Sequence, residues 1–174
     1  PIKSSAASDV YKRQEQLAYL LKYDTNHRNY NVDGISFVDN NIVVDSKKIP
    51  VYSSMDPSVL PWGELGVDVV FECSGKFTDK DKASLHIKAG AKKVIISAPA
   101  KGDLKTIVYN VNDDILTGEE EVISAASCTT NCLAPVLKVI NDEFGIEKGY
   151  MTTVHAYTND QVIFCLLYTS PSPR

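Results

Sequence analysis

Apolar and polar positions alternate along the chain with two different periods, and these predict both helices and strands. Apolar residues in the segment 16–22 are spaced as on one face of a helix. Two short apolar runs, Ile35–Val38 and Ile42–Val44, flank the segment Asp39-Asn40-Asn41. They predict a β-hairpin whose turn tolerates positive φ angles.

The middle of the chain predicts units of a parallel sheet. Val67–Phe71 is a short β-branched run, typical of a strand that is buried on both faces. A helix is expected next, capped by Thr78-Asp79 and ended by Gly90. Further strands are predicted at Lys93–Ser97, Leu104–Val111 and Glu121–Ala126. This order of elements is typical of a doubly wound α/β domain.

A second helix is predicted over Thr130–Phe144, with a proline inside it. Because Pro135 has no amide proton, we expect the helix to begin close to it or to kink there. Gly145 should end the helix, and Tyr150–His155 should form a strand.

Composition narrows the class of protein. The 174 residues are 44% hydrophobic and 23% charged, as in a soluble globular domain. The net charge of -4, with no basic cluster among aromatic residues, argues against a nucleic-acid partner. No apolar run approaches the roughly 20 residues that span a bilayer, so no membrane partner is expected. Four cysteines without a secretory signal or zinc-ligand spacing predict reduced thiols in the cytoplasm and no metal site.

Cys128 follows an apolar strand and opens a helix, and a helix N-terminus stabilises a thiolate. His155 ends another predicted strand, so the two side chains could share a site. The residues alone leave other interpretations open, because an isolated cysteine is often a small buried side chain and an isolated histidine is often structural. Cys132 lies one helical turn after Cys128, and we expect it to pack rather than to bind a metal or act as a resolving thiol.

Two motifs together carry a specific resemblance. Ser127-Cys128-Thr129-Thr130-Asn131-Cys132 is followed by His155-Ala156-Tyr157-Thr158-Asn159-Asp160-Gln161. In this order and spacing they resemble the catalytic centre of glyceraldehyde-3-phosphate dehydrogenase. The resemblance runs from about Glu15 through Phe164. It implies a partial doubly wound, Rossmann-type nucleotide-binding domain over residues 15–127 and the start of an α+β catalytic domain over residues 128–164.

The resemblance also implies a reaction. Cys128 would attack the aldehyde of glyceraldehyde 3-phosphate, and His155 would assist the thiolate and stabilise the resulting oxyanion. Hydride transfer to a nicotinamide would leave a thioester, which inorganic phosphate would cleave to an acyl phosphate. Ser127, Thr129 and Thr158 would hold phosphate groups, although Ser and Thr are also common helix caps.

Cofactor residues are implied at the ends of the predicted strands. Ser74 and Gly75 follow a strand where a doubly wound fold binds its cofactor, and Ser97 would lie near the nicotinamide. Met55 stands near the expected adenine site and could contribute only its backbone. NAD is the expected cofactor, with NADP left open. The segment 157–159 favours a triose substrate, and the family implies a homotetramer acting in glycolysis.

Both ends of the chain differ from this pattern. Residues 4–14 and 165–174 reverse-translate into sequences resembling the two halves of a sequencing adapter, so we expect residues 1–14 and 165–174, with Cys165, to be foreign to the enzyme. No Gly-x-Gly-x-x-Gly turn occurs. Loss of the first strand should leave open sheet edges, making the literal chain inactive and aggregation-prone.

Two other functions remain open at this point. Cys128 and His155 could form a hydrolase or acyl-transfer site without nicotinamide. The chain could instead be a noncatalytic remnant that binds other chains through its sheet edges.

Overall fold

The computed structural model of the chain describes residues 4–6, 14–24 and 28–156. The chain divides into two compact units, residues 1–139 and residues 140–174. In chain order, the strands are β1 (Ser4–Ala6), β2 (Tyr23–Asp24), β3 (Arg28–Asn29), β4 (Ile35–Val38), β5 (Asn41–Val44), β6 (Lys47–Pro50), β7 (Val69–Glu72), β8 (Lys93–Ile96) and β9 (Val122–Ser124). The helices are α1 (Gln14–Lys22), α2 (Lys80–Lys88) and α3 (Cys128–Phe144).

The N-terminal elements confirm the predicted helix and hairpin. β4 and β5 pair antiparallel with Ile35 opposite Val44, and β6 adds a third antiparallel strand. Asp39 and Asn40 have φ angles of 49° and 57°, which their short polar side chains tolerate better than most residues. Helix α1 packs on β4, where Ile35 is fully buried.

A parallel sheet forms the core of the first unit, in the strand order β1-β7-β8-β9. Val70 of β7 and Val94 and Ile96 of β8 are inaccessible to solvent, and α2 packs against β8. The predicted α/β class is therefore confirmed, with a partial doubly wound sheet. The buried apolar cluster comprises Leu60, Trp62, Val67, Val70, Ala83, Ala91, Val94, Ile96 and Val122.

Helix α2 begins and ends where its capping residues predict. The Asp79 carboxylate accepts a hydrogen bond of 3.0 Å from the amide of Asp81. Gly90 follows the helix with a φ of 101°, and its amide donates to the carbonyl of Ile87. These caps orient the connection between β7 and β8.

The strand predicted at Leu104–Val111 is wrong. Backbone hydrogen bonds join this segment to β9 only around Thr106. Beyond Thr106 the backbone of this segment is hydrogen-bonded by the Asn112 side chain instead of a neighbouring strand. Its Oδ1 accepts from the amide of Val108, and its Nδ2 donates to the carbonyl of Thr106. Asn110, with a φ of 59°, turns the chain away from the sheet.

One prediction for the C-terminal part is also wrong, the strand at Tyr150–His155. Helix α3 is confirmed and begins at Cys128, and of the two alternatives for Pro135 a start near the proline is excluded because the helix runs on through it. Gly145 ends it as predicted, with a φ of 73° and an amide that donates to the carbonyl of Asn141. Residues 150–156, at the end of the described part, form neither helix nor strand. A strand needs a pairing partner, and the described residues of the second unit supply none.

The edge of β7 is not open, contrary to the prediction. Residues 4–6, within the segment 1–14 that we expect to be foreign, form β1 and pair in parallel with β7 from Val69 to Phe71. Unpaired backbone amides and carbonyls of an edge strand accept any extended segment, whatever its side chains. Helix α3 nevertheless exposes a row of apolar side chains that includes Val136, Val139 and Phe144.

None of the described helices combines the length and the apolar character needed to cross a membrane.

Candidate functional site

The turn between β9 and α3 is held on the strand side by a buried serine. Ser124 is inaccessible to solvent, and its hydroxyl donates to the carbonyl of Ala98 at 2.8 Å. The same oxygen accepts from the amide of Ala126 at 3.1 Å. Ala126 adopts a φ of 62°, a conformation that costs an alanine about 1 kcal/mol or more. The hydrogen bond to Ser124 therefore helps to hold a strained turn.

On the helix side, Asn131 holds the same turn. Its Nδ2 donates to the carbonyls of Ala125 at 2.7 Å and Ser127 at 2.9 Å. The Ser127 hydroxyl accepts from the amide of Thr130 at 3.0 Å, as a helix cap does. Ser127 thus fills the capping role that the sequence left open beside phosphate binding.

Cys128 is the first residue of α3 and is exposed, as is Cys132 one turn later. Amides at the start of a helix have no intrahelical acceptor, and the helix dipole there favours negative charge. Thr129, half-buried, is the second residue of the helix. The arrangement can stabilise a thiolate or another anion at Cys128.

The remaining predicted catalytic residue belongs to the second unit. His155 is exposed, and its Nδ1 lies 2.5 Å from the carbonyl oxygen of Ala156. Thr158 and Cys165 lie outside the described residues. The pairing of Cys128 with His155 stays a prediction.

Glu72 joins two of the predicted cofactor residues at the ends of β7 and β8. Its carboxylate accepts from the amide of Ser74 at 2.8 Å and from the Ser74 hydroxyl. Its carbonyl accepts from the amide of Ser97 at 3.0 Å and from the Ser97 hydroxyl at 3.2 Å. Gly75 follows with a φ of 72°, and a Cβ added there would meet no atom within 4 Å. Open space therefore lies beside a backbone turn at this edge of the sheet.

The other oxygen of the Glu72 carboxylate faces the core. His86 Nε2 lies 3.0 Å from it, and Trp62 Nε1 donates to His86 Nδ1 at 3.0 Å. The three side chains are almost fully buried. Burial raises the pKa of Glu72, but hydrogen bonds from His86 and Ser74 outweigh it and hold the pKa below its usual range.

Met55 is exposed in a bend just before Asp56. Asp56 caps the short 3₁₀ helix Pro57–Val59 by accepting from the amide and hydroxyl of Ser58. These hydrogen bonds lower the pKa of Asp56. Met55 thus lies on a bend that is anchored by its neighbour.

Sequence reasoning missed Glu72, His86 and Asn131. One signal was available for Glu72, which directly follows the apolar run Val67–Phe71. A carboxylate at the end of a buried strand is itself buried only when it is paired. The position of Asn131, one turn into a helix that follows a strand, carried no comparable signal.

The turns after β7 and β8 fit a dinucleotide. The carboxyl ends of adjacent parallel strands, with small residues and open space at Gly75, are where open α/β sheets bind nucleotides. No cluster of three or more metal-ligating side chains occurs among residues 4–6, 14–24 and 28–156.

The all-parallel sheet with these turns defines a nucleotide-binding α/β protein. Residues 3–80 match the family model "Glyceraldehyde 3-phosphate dehydrogenase, NAD binding domain". Residues 127–168 match "Glyceraldehyde 3-phosphate dehydrogenase, C-terminal domain". The first match supports a nicotinamide dinucleotide as the cofactor class.

Curated relatives agree with both models. The chain is 60% identical over 147 residues to "Glyceraldehyde-3-phosphate dehydrogenase" of Clostridium pasteurianum. The matched region covers 84% of this chain and 44% of the relative. It is 51% identical over 150 residues to the protein of that name from Thermotoga maritima, covering 86% of this chain and 45% of the relative. The chain belongs to the glyceraldehyde-3-phosphate dehydrogenase family, and it spans somewhat less than half the length of these relatives.

Proposed function

We propose that the chain is part of an enzyme that oxidises glyceraldehyde 3-phosphate with NAD and inorganic phosphate to give an acyl phosphate. The observation that carries the proposal is the position of Cys128, exposed at the start of α3 behind a turn that is pinned from both sides. Family membership supports the substrate and the cofactor.

In this proposal, Cys128 is the nucleophile. Its thiolate adds to the aldehyde carbon, and the carbonyl oxygen becomes the oxyanion of a thiohemiacetal. The dipole at the N-terminus of α3 favours the thiolate. His155 takes the thiol proton and stabilises the oxyanion. Thr129, Thr158 and Ser127 bind phosphate groups, Ser127 through its amide because its hydroxyl caps the helix.

The dinucleotide site is proposed at the turns that follow β7 and β8. Ser74 and Gly75 offer a backbone turn beside open space, Ser97 lies at the end of the neighbouring strand, and Met55 contributes backbone near the adenine. When bound, the nicotinamide would accept a hydride from the substrate. We propose NAD as the cofactor, with NADP left open, and the match to an NAD-binding domain supports a nicotinamide dinucleotide at this site.

The proposal extends to the organisation of the chain. Residues 15–127 form part of the nucleotide-binding domain, residues 128–164 start the catalytic domain, and residues 1–14 and 165–174 are foreign. The complete enzyme is a cytoplasmic homotetramer of glycolysis. The present chain is inactive, since it has no glycine-rich turn to hold the pyrophosphate.

The test begins with resequencing the source gene across the Gln14/Glu15 and Phe164/Cys165 junctions, using different library adapters. The full-length protein is then assayed for NADH formation from glyceraldehyde 3-phosphate, NAD and phosphate. We expect turnover that Cys128→Ser abolishes and Cys132→Ser retains, because only Cys128 starts the helix. Absence of NAD-dependent turnover would refute the proposed function, and hydrolysis of simple esters as the sole activity would favour a hydrolase or acyl-transfer site.

A test on the 174-residue chain itself uses alkylation at neutral pH, followed by peptide mass spectrometry. We expect Cys128 to react about tenfold faster than Cys73 and Cys132, because only its thiolate is stabilised by a helix N-terminus. Equal labelling of the three thiols would favour a noncatalytic remnant.

A further inference from the structure

The hydrogen bonds through the buried trio Trp62, His86 and Glu72 can run in one direction only. An indole N–H is a donor and never an acceptor, so His86 Nδ1 must accept from Trp62. His86 therefore carries its proton on Nε2 and donates it to the Glu72 carboxylate, an obligate acceptor. Donor and acceptor roles are thus fixed from the indole to the carboxylate.

The hydrogen-bonded line Trp62–His86–Glu72, called the relay below, ends at the turn after β7. The second oxygen of Glu72 accepts the amide of Ser74, and the Ser74 hydroxyl also donates to it. The Ser74 oxygen in turn accepts from the amide of Lys76 at 3.2 Å. The amides of Ser74 and Lys76, on either side of Gly75, are therefore held by one buried carboxylate, the first directly and the second through the Ser74 hydroxyl.

The hydrogen-bonded network of Trp62, His86 and Glu72 places a charged group in the core, which is unfavourable for stability. Burying a carboxylate costs desolvation free energy, which an apolar group of the same volume would avoid. What the hydrogen bonds provide instead is a fixed orientation of the three side chains, because the donor or acceptor of each is paired with that of its neighbour. Its hydrogen bonds reach the surface at the turn that ends β7.

We propose that Trp62, His86 and Glu72 are positioning residues for the dinucleotide, acting through the Ser74–Lys76 turn. The proposal rests on the proposed function, which puts the cofactor at this turn. His86 and Glu72 are buried and act only by holding the amides of the turn in place.

The direction of the relay makes Glu72→Gln a sharp test. In one orientation, the new amide group points its NH₂ at the His86 Nε2–H, and in the other at the Ser74 N–H. Either way two donors meet, and His86 cannot change tautomer while Trp62 donates to Nδ1. We expect faster amide hydrogen exchange in the peptide 72–78 and a KM for NAD raised roughly tenfold, with the alkylation rate of Cys128 unchanged.

Trp62→Phe should rescue this variant. Without the indole N–H, His86 can carry its proton on Nδ1 and accept at Nε2 from Gln NH₂, which leaves the Gln oxygen for Ser74. The double variant Trp62→Phe/Glu72→Gln is therefore expected to bind NAD more tightly than Glu72→Gln alone. A purely structural loss would instead worsen when a second core residue is truncated.

Val94→Ala is the matched control, since Val94 is equally buried in the neighbouring strand and its apolar side chain can form no hydrogen bond. It should lower the urea unfolding midpoint without raising the KM for NAD. All variants are compared in the full-length enzyme. An unchanged KM for NAD in Glu72→Gln, or no rescue by Trp62→Phe, overturns the positioning role while leaving the proposed function intact. Absence of NAD-dependent turnover in the unsubstituted enzyme overturns both.

A measurement without substitution decides the case should Glu72→Gln fail to fold. The ¹⁵N chemical shifts of the His86 ring distinguish a protonated nitrogen from an unprotonated one. We expect a proton on Nε2 and none on Nδ1. A proton on Nδ1 would overturn the relay.

Discussion

The backbones of Gly63 and Gly90 approach each other so closely that a Cβ on Gly90 would lie 2.5 Å from both the nitrogen and the Cα of Gly63. The amide of Gly63 donates to the carbonyl of Ala89 at 2.9 Å, which holds the two segments together. Gly90 also has a φ of 101°, so glycine is required here for both space and conformation.

Gly90→Ala should therefore destabilise the fold strongly. We expect a loss of about 3 kcal/mol in the free energy of unfolding, from backbone strain together with overpacking. Gly118→Ala is the control, because Gly118 also has a positive φ of 89° but an added Cβ would meet no atom within 4 Å. That variant should lose only about 1 kcal/mol. Equal losses in urea unfolding would show that the close approach does not exist in solution.

The lowered pKa of Glu72 predicts a pH dependence of stability. A carboxyl whose pKa is lower in the folded than in the unfolded chain stabilises the fold above its ordinary pKa, and this contribution disappears as the pH falls through the folded value. The difference in unfolding free energy between the unsubstituted chain and Glu72→Gln should thus shrink below about pH 4.5. Urea titrations from neutral to acid pH measure it, with the exposed Glu64→Gln as control. A difference that stays constant with pH would contradict the ionised, paired state of Glu72.

Lys105 should control the ionisation of Glu120. A hydrogen bond from Lys105, together with the amide of Thr117, holds the pKa of Glu120 well below its usual range. Lys105→Met should raise that pKa toward the ordinary value, as measured by NMR titration of the carboxyl carbon. Lys93→Met is a matched control, because Lys93 donates to the backbone carbonyl of Glu120 and not to its carboxylate. The prediction fails if both variants shift the pKa equally.

Asn131→Ala should loosen the turn that carries Cys128. The carbonyls of Ala125 and Ser127 would both lose the Asn131 amide, and we expect a loss of about 1–3 kcal/mol in unfolding free energy. Asn141→Ala makes the same truncation on the same helix, where Asn141 accepts a single hydrogen bond of 3.3 Å from Ile146. Its smaller expected loss provides the comparison, and equal losses would argue against the role of Asn131.

Local sequence signals were sufficient to predict the elements whose ends are set by capping or turn residues. Helix α2 was predicted to its caps because Asp79 and Gly90 act on the adjoining backbone. The β4–β5 hairpin followed from Asp39 and Asn40 for the same reason. By contrast, the apolar segments 104–111 and 150–155 had the composition of strands but not the partners, and pairing partners cannot be read from a local pattern.

The residues of the candidate site also divide into those with a local sequence signal and those without one. Cys128 was found because its motif is contiguous in sequence. The trio Trp62, Glu72 and His86 was missed because its contacts join residues 14 and 24 positions apart, across a strand and a helix. Only the fold brings those side chains into one hydrogen-bonded line.

The pairing of β1 with β7 also has a consequence for the order in which the sheet assembles. Joining Ser4 to Val69 closes a loop more than twice as long as the loops closed by β7–β8 or β8–β9 pairing. Longer loops cost more chain entropy and form more slowly. Strands β7, β8 and β9 should thus assemble first, and the three-residue β1 should dock last and be the first strand to open.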